Sequence, residues 1–96
     1  MRVPTEIARV RLQPQHQPTG KTRHYFGRGP DDPNRVEAPV PAMLRIVRYD
    51  DAWGFYLFYC DADGVEFMDT LHETVDAAKG QAEFEFNVKP EEWQTP

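Results

Sequence analysis

Asp69, His72 and Glu73 lie within five residues of one another and are the closest this chain comes to a chemical site. An imidazole beside two carboxylates can act as a general base or hold a metal ion. No Ser or Cys nucleophile accompanies the three in a recognisable motif, and zinc spacings of the H-E-x-x-H or paired C-x-x-C type are absent. His16 and His24 fall in loop-like sequence with nothing to position them. The plainer role for the cluster is to cap the following helix and hydrogen-bond the junction, and that role is favoured here. No catalytic residue is assigned, and no cofactor or metal is expected.

Other chemistry-bearing residues have structural explanations. Asp61-x-Asp63-Gly64 resembles the start of a calcium loop, but the twelfth position is His72 instead of Glu, so a hairpin turn is expected. Cys60 is the sole cysteine and sits in an apolar run, which reads as a buried, inert thiol in a reducing compartment. Gly27-Arg28-Gly29-Pro30 lacks the G-K-S/T of a phosphate loop. Arg23, Arg28 and Arg35 interleave with Tyr25 and Phe26, as basic and aromatic residues do on nucleic-acid surfaces and in ordinary loops alike. The chain is acidic overall, so nucleic acid is not the expected partner.

The net charge of -5 conceals a division. Residues 1–48 hold nine Lys/Arg against four Asp/Glu, and residues 49–96 hold two against twelve. Either the basic half folds onto the acidic half and neutralises it, or the molecule carries a dipole that steers a charged partner. No apolar run approaches the roughly 18 residues needed to span a bilayer. The opening M-R-V-P-T-E-I has no apolar signal stretch, and a cytoplasmic location is expected.

The elements that must position these residues centre on Trp53–Cys60, W-G-F-Y-L-F-Y-C, an aromatic run with no polar face at helical spacing. It reads as a central strand covered on both sides. Residues 42–49 precede it as a strand and 65–71 follow it, giving an antiparallel meander over about 42–71. On the third strand Val65, Phe67 and Leu71 are expected to share a face. Thr74 is the expected N-cap of a helix over about 75–87, with Ala78, Ala82 and Phe86 inward and Glu83 and Glu85 outward. Gly80 would mark a close backbone approach, and Trp93 would fold back onto the body. Seven of the nine prolines lie in the first forty-one residues. That region reads as irregular, with an edge strand at 6–12, a short strand at His24–Phe26 pairing back on it, and an extended run from Gly27 to Pro41.

Asp69-Thr70-Leu71-His72-Glu73-Thr74, then Gln81-Ala82-Glu83-Phe84-Glu85-Phe86 and Trp93, resemble a pattern in small bacterial proteins to which no activity is attached. The likeness covers about residues 44–93. Acidic proteins of this size and build are similar to immunity proteins, which neutralise a toxin by binding it. Three strands followed by a helix opening at Thr74 also resemble HicB-type antitoxins. The likeness to immunity proteins implies a binding role, and no activity is carried over from the small bacterial proteins.

The fold expected is therefore one α+β domain over 1–96, an antiparallel sheet of three to five strands packed on one C-terminal helix. Its expected function is a non-enzymatic protein-binding module, immunity- or antitoxin-like, that offers an acidic surface to a basic partner. The partner-binding candidates are Glu83, Glu85, Glu91 and Glu92, with Tyr56 and Phe58 on the sheet face away from the helix. Met68 would join those two, and a homodimer through that face is a second expectation. The alternative is a small enzyme or metal-binding protein using Asp69, His72 and Glu73.

Overall fold

The computed structural model describes residues 3–27, 29 and 31–96. Among these residues six strands precede one helix: β1 (Pro4–Arg11), β2 (Tyr25–Phe26), β3 (Val36–Glu37), β4 (Met43–Tyr49), β5 (Phe55–Cys60), β6 (Glu66–His72) and α1 (Val75–Phe86). A 3-10 turn at Pro90–Glu92 closes the chain. The meander β4–β5–β6 forms as expected, and β1 adds beyond β4 to make a four-stranded antiparallel sheet ordered β1-β4-β5-β6. The fold is α+β. Its two apolar-rich strands, β4 and β5, take the interior positions, where each has a paired strand along both edges, but α1 covers one face only and the second cover expected over β5 is not found among the described residues.

Two bulges set which side chains face the helix. Ile7 is the extra residue where the β1–β4 register shifts between Glu6 and Ala8, and Phe67 plays that part between Glu66 and Met68 in β6. A bulge places two consecutive residues against one on the partner strand and interrupts alternation. Both Phe67 and Met68 consequently pack into the core under α1. Met68 is thus not on the face of Tyr56 and Phe58, as strict alternation required, and Leu71 sits opposite Tyr56 instead of sharing the side of Phe67. Trp53 also departs from expectation. It precedes β5 in the turn from β4 and is largely exposed.

The core beneath α1 joins Leu44, Ile46, Leu57 and Tyr59 to Ala78, Ala82 and Phe86, with Trp93 folded back beside them. Thr74 caps the helix, its hydroxyl accepting from Ala77 N–H at 3.0 Å. Asn87 ends it in the left-handed region, φ 60°, and its N–H returns to the Glu83 carbonyl. Gly80 has no heavy atom within 4 Å of where a Cβ would stand, so it marks no close approach. The close approach is at Gly54, whose Cβ would lie 2.5 Å from the His72 carbonyl oxygen.

No element covers the opposite face among the described residues. Met43, Val47, Phe58 and Cys60 are nevertheless buried there, under the edge-to-face pair Tyr49–Tyr56 and the Arg45 guanidinium, 5.9 Å from the Phe58 ring centre. Glu6 accepts from Arg9 and Arg45 beside them. Phe58 is only 6% exposed, so the broad bare patch expected on this face is absent.

The N-terminal region does not cover that face either. Tyr25–Phe26 pairs with Val36–Glu37 and not with β1, so Val36 and Glu37, expected in an extended run, belong to a small ribbon. The local proline and glycine content hid this pairing, whose two halves lie across a loop. The ribbon rests on the helix side, Phe26 edge-on to Phe67 at 6.3 Å. Residues 13–24 form a strap to it across the C-terminal end of α1, where Thr19 donates to the Phe84 and Glu85 carbonyls.

Candidate functional site

Counting from Ala78 by four and then three residues reaches Ala82 and Glu85, so Glu85 faces the core and cannot share an outward face with Glu83. It is 4% exposed. The charge of Glu85 points to the surface, whereas this spacing is the sequence signal that places it inward. Three donors meet the carboxylate. The Tyr59 hydroxyl, from β5, makes a very short bond to it. Gln81 Nε2, one helical turn back, donates at 2.9 Å. His24 Nε2, from the strap, lies 2.6 Å from the other oxygen, and since a carboxylate accepts, that nitrogen carries hydrogen. Burial, and then the bond to Glu85, pushes the Tyr59 phenol far above its ordinary value, so it remains the donor.

Thr70 and His72 stand next to this group on β6, with Thr70 Oγ1 2.7 Å from His72 Nε2. Burial lowers the His72 pKa against the opposing influence of Glu85. A second histidine contact fastens the other end of the strap. His16, 3% exposed, accepts from Gln13 N–H through Nδ1 at 2.9 Å, which leaves Nε2 to donate to Glu92 at 2.9 Å. Glu92 also accepts from Lys89 N–H at 2.7 Å, and these bonds hold its pKa below the ordinary value. His16 and His24, which sequence left in unconstrained loops, are therefore the two fasteners of the strap.

Asp69, His72 and Glu73 do not converge. Because β6 runs through His72, strand alternation sends Asp69 to the open face opposite Phe58 and His72 to the helix side, while Glu73 follows in the exposed turn. No group of three His, Cys, Asp or Glu side chains among the described residues could hold a metal ion. Glu83 is half-exposed and pairs with Lys89 at 3.0 Å, and Glu91 is exposed. Asp61 closes the hairpin turn, its carboxylate accepting from Asp63 and Val65 N–H, with Gly64 at φ 82°. Arg28 lies outside the described residues; Arg23 pairs with Glu37, and Arg35 stacks on Tyr25.

The acidic surface instead gathers along β6. From Asp50 to Ala78 the chain has eight Asp/Glu and no Lys or Arg. None of the ion pairs among the described residues draws on Asp61, Asp63, Glu66, Asp69, Glu73 or Asp76. Burial, and then the neighbouring Asp69 carboxyl, pushes the Glu66 pKa up to about 7. β6 is also an outer strand, hydrogen-bonded only to β5 among the described residues. The other outer strand, β1, is bridged at Arg9 by the backbone of Gln94. Around the β6 edge stand three exposed apolar side chains, Val65, Leu71 and Trp53. No helix is long and apolar enough to cross a membrane among the described residues. No family model, curated protein or solved structure matches this chain.

Proposed function

We propose that this protein is a non-enzymatic binding module that receives an extended, basic segment of a partner protein along β6. The observation that carries the reading is an outer strand beside which Asp61, Asp63, Glu66 and Asp69 enter no ion pair among the described residues, in a stretch from Asp50 to Ala78 without one basic residue. An added strand satisfies the unpaired main-chain groups of such an edge, and its alternate side chains supply selectivity. Here Glu66 and Asp69 favour Lys or Arg, while Val65, Leu71 and the exposed indole of Trp53 favour apolar neighbours. This mode agrees with the immunity- or antitoxin-like resemblance and moves the partner surface from the helix to the sheet edge. A role for Asp69, His72 and Glu73 as one catalytic or metal site would require side chains on opposite faces to converge.

The test is amide NMR of the labelled protein titrated with a peptide of alternating Lys and Val, and with its Glu/Val counterpart. The expected result is saturable shifts concentrated on residues 65–72 and the Trp53 indole with the Lys peptide alone. Shifts lying elsewhere, or the same response to both peptides, would overturn the proposal.

A further inference from the structure

We infer that a basic segment docking on β6 displaces a proton shared by Glu66 and Asp69, so that partner binding is controlled by pH. This rests on the proposed β6 surface and adds its regulation. Strict alternation would send two residues three apart to opposite faces of a strand. The bulge at Phe67 cancels that effect. Glu66 pairs with Cys60 and Asp69 with Phe58, and both partners lie on the face away from α1. The two carboxyl groups therefore stand on adjacent rows of one face, where their side chains hydrogen-bond to each other. A carboxylate only accepts, so a bond between two carboxyl groups requires a proton on one of them.

The surroundings leave that proton in place. Cys60 of β5, opposite Glu66, is buried, and burial pushes its thiol up, so it stays neutral. Phe58 and Leu71 flank Asp69 with apolar surface, and Tyr59, on the helix side, is a neutral donor to Glu85. In the adjoining turn Asp61 accepts from Asp63 and Val65 N–H, and Asp63 lines a cavity with Arg9, Arg11 and Arg45. Arg45 of β4 acts on Glu66, but its guanidinium is bonded to Glu6 at 2.6 Å. Arg9 and Arg11 stand on β1, three strand spacings or roughly 14 Å across the sheet. Partial burial, then the bond to Asp69, pushes the Glu66 pKa up to about 7 against the pull of Arg45. An incoming Lys or Arg changes this balance. On a strand added to the β6 edge, a basic side chain on this face lies beside both carboxyl groups. Its charge favours the ionised form of each, the Glu66 O–H gives its proton to water, and two carboxylates then face one cation. Binding below about pH 7 therefore releases a proton, and binding well above it releases none.

The experiment is calorimetric titration of the whole chain with the alternating Lys/Val peptide, at fixed ionic strength and in two buffers of different ionisation heat. It is run at about pH 5.5, 6.5 and 8, on both sides of the Glu66 value of about 7. Affinity about tenfold weaker at the lowest pH than at the highest is expected, with a proton release at the middle pH that vanishes at the highest. Histidine titrates over the same range, so Glu66→Gln is the control. Its affinity should change less than about twofold across the series, without proton release. If it alters the circular dichroism spectrum, Asp69→Asn, which removes the acceptor of the shared proton, carries the same expectation. Saturable binding of equal affinity at every pH would overturn the inference and leave the β6 surface standing. So would an unchanged pH dependence in the folded Glu66→Gln protein. Absence of saturable binding at any pH would overturn both.

Discussion

At the scale of single residues, Glu85 does most to join the parts of this molecule, since its carboxylate collects donors from β5, α1 and the strap at once. Removing it would leave a phenol, an amide and an imidazole without their acceptor. Glu85→Ala is expected to cost roughly 3 kcal/mol in urea unfolding. Glu83→Lys, on the exposed side, should stay within about 0.5 kcal/mol. Equal effects would show that Glu85 is not the hub described. Glu66 gives a pH dependence of definite sign. Its folded pKa of about 7 stands above the ordinary 4.5, so its contribution is fully present below 4.5 and is lost as pH rises through 7. After solvent screening the loss is on the order of 1 kcal/mol. Glu66→Gln should remove that slope between pH 4.5 and 8, measured by unfolding at a series of pH values, and an unchanged slope would refute the assignment.

At the scale of elements, the sequence signals that worked were short-range ones. The aromatic run of β5, the Asp61–Gly64 turn and the Thr74 cap each announce themselves within a few residues, and each forms. What sequence could not show depends on partners far along the chain. The bulges at Ile7 and Phe67 arise from pairing with β4 and β5, and they redirect Met68 and Leu71. The β2–β3 ribbon needs two residues on each side of a proline-containing loop, too few for a period to appear. Glu85 was legible from its spacing, though its charge argued for the surface. Glycine shows the same limit: helical propensity drew attention to Gly80, while the contact that demands glycine is at Gly54. Gly80→Ala is therefore expected to stabilise by about 1 kcal/mol. Gly54→Ala should destabilise, because its methyl group would meet backbone. Thermal unfolding of the two variants checks this pair, and shifts of the same sign would contradict the placement.

At the scale of the whole molecule, the charge division seen in sequence becomes a division across the sheet. Arg9, Arg11, Arg45 and Arg48 lie on β1 and β4, whereas β6 and its turns carry acids alone apart from His72. The two halves are joined at His16–Glu92 and His24–Glu85, and the arginine pairs close within the basic half, Arg9 and Arg45 on Glu6 and Arg23 on Glu37. Arg45 acts on Glu66, but no ion pair among the described residues draws on Asp61, Asp63, Glu66 or Asp69, and these carboxylates lie beside an outer strand. That combination underlies the proposed β6 surface, and salt should weaken what binds there. The most direct test is the affinity of the Lys/Val peptide for wild type and for Glu66→Lys/Asp69→Lys. A loss of at least about tenfold with an unchanged circular dichroism spectrum is expected. Equal affinity in the folded double variant would contradict a partner site on β6.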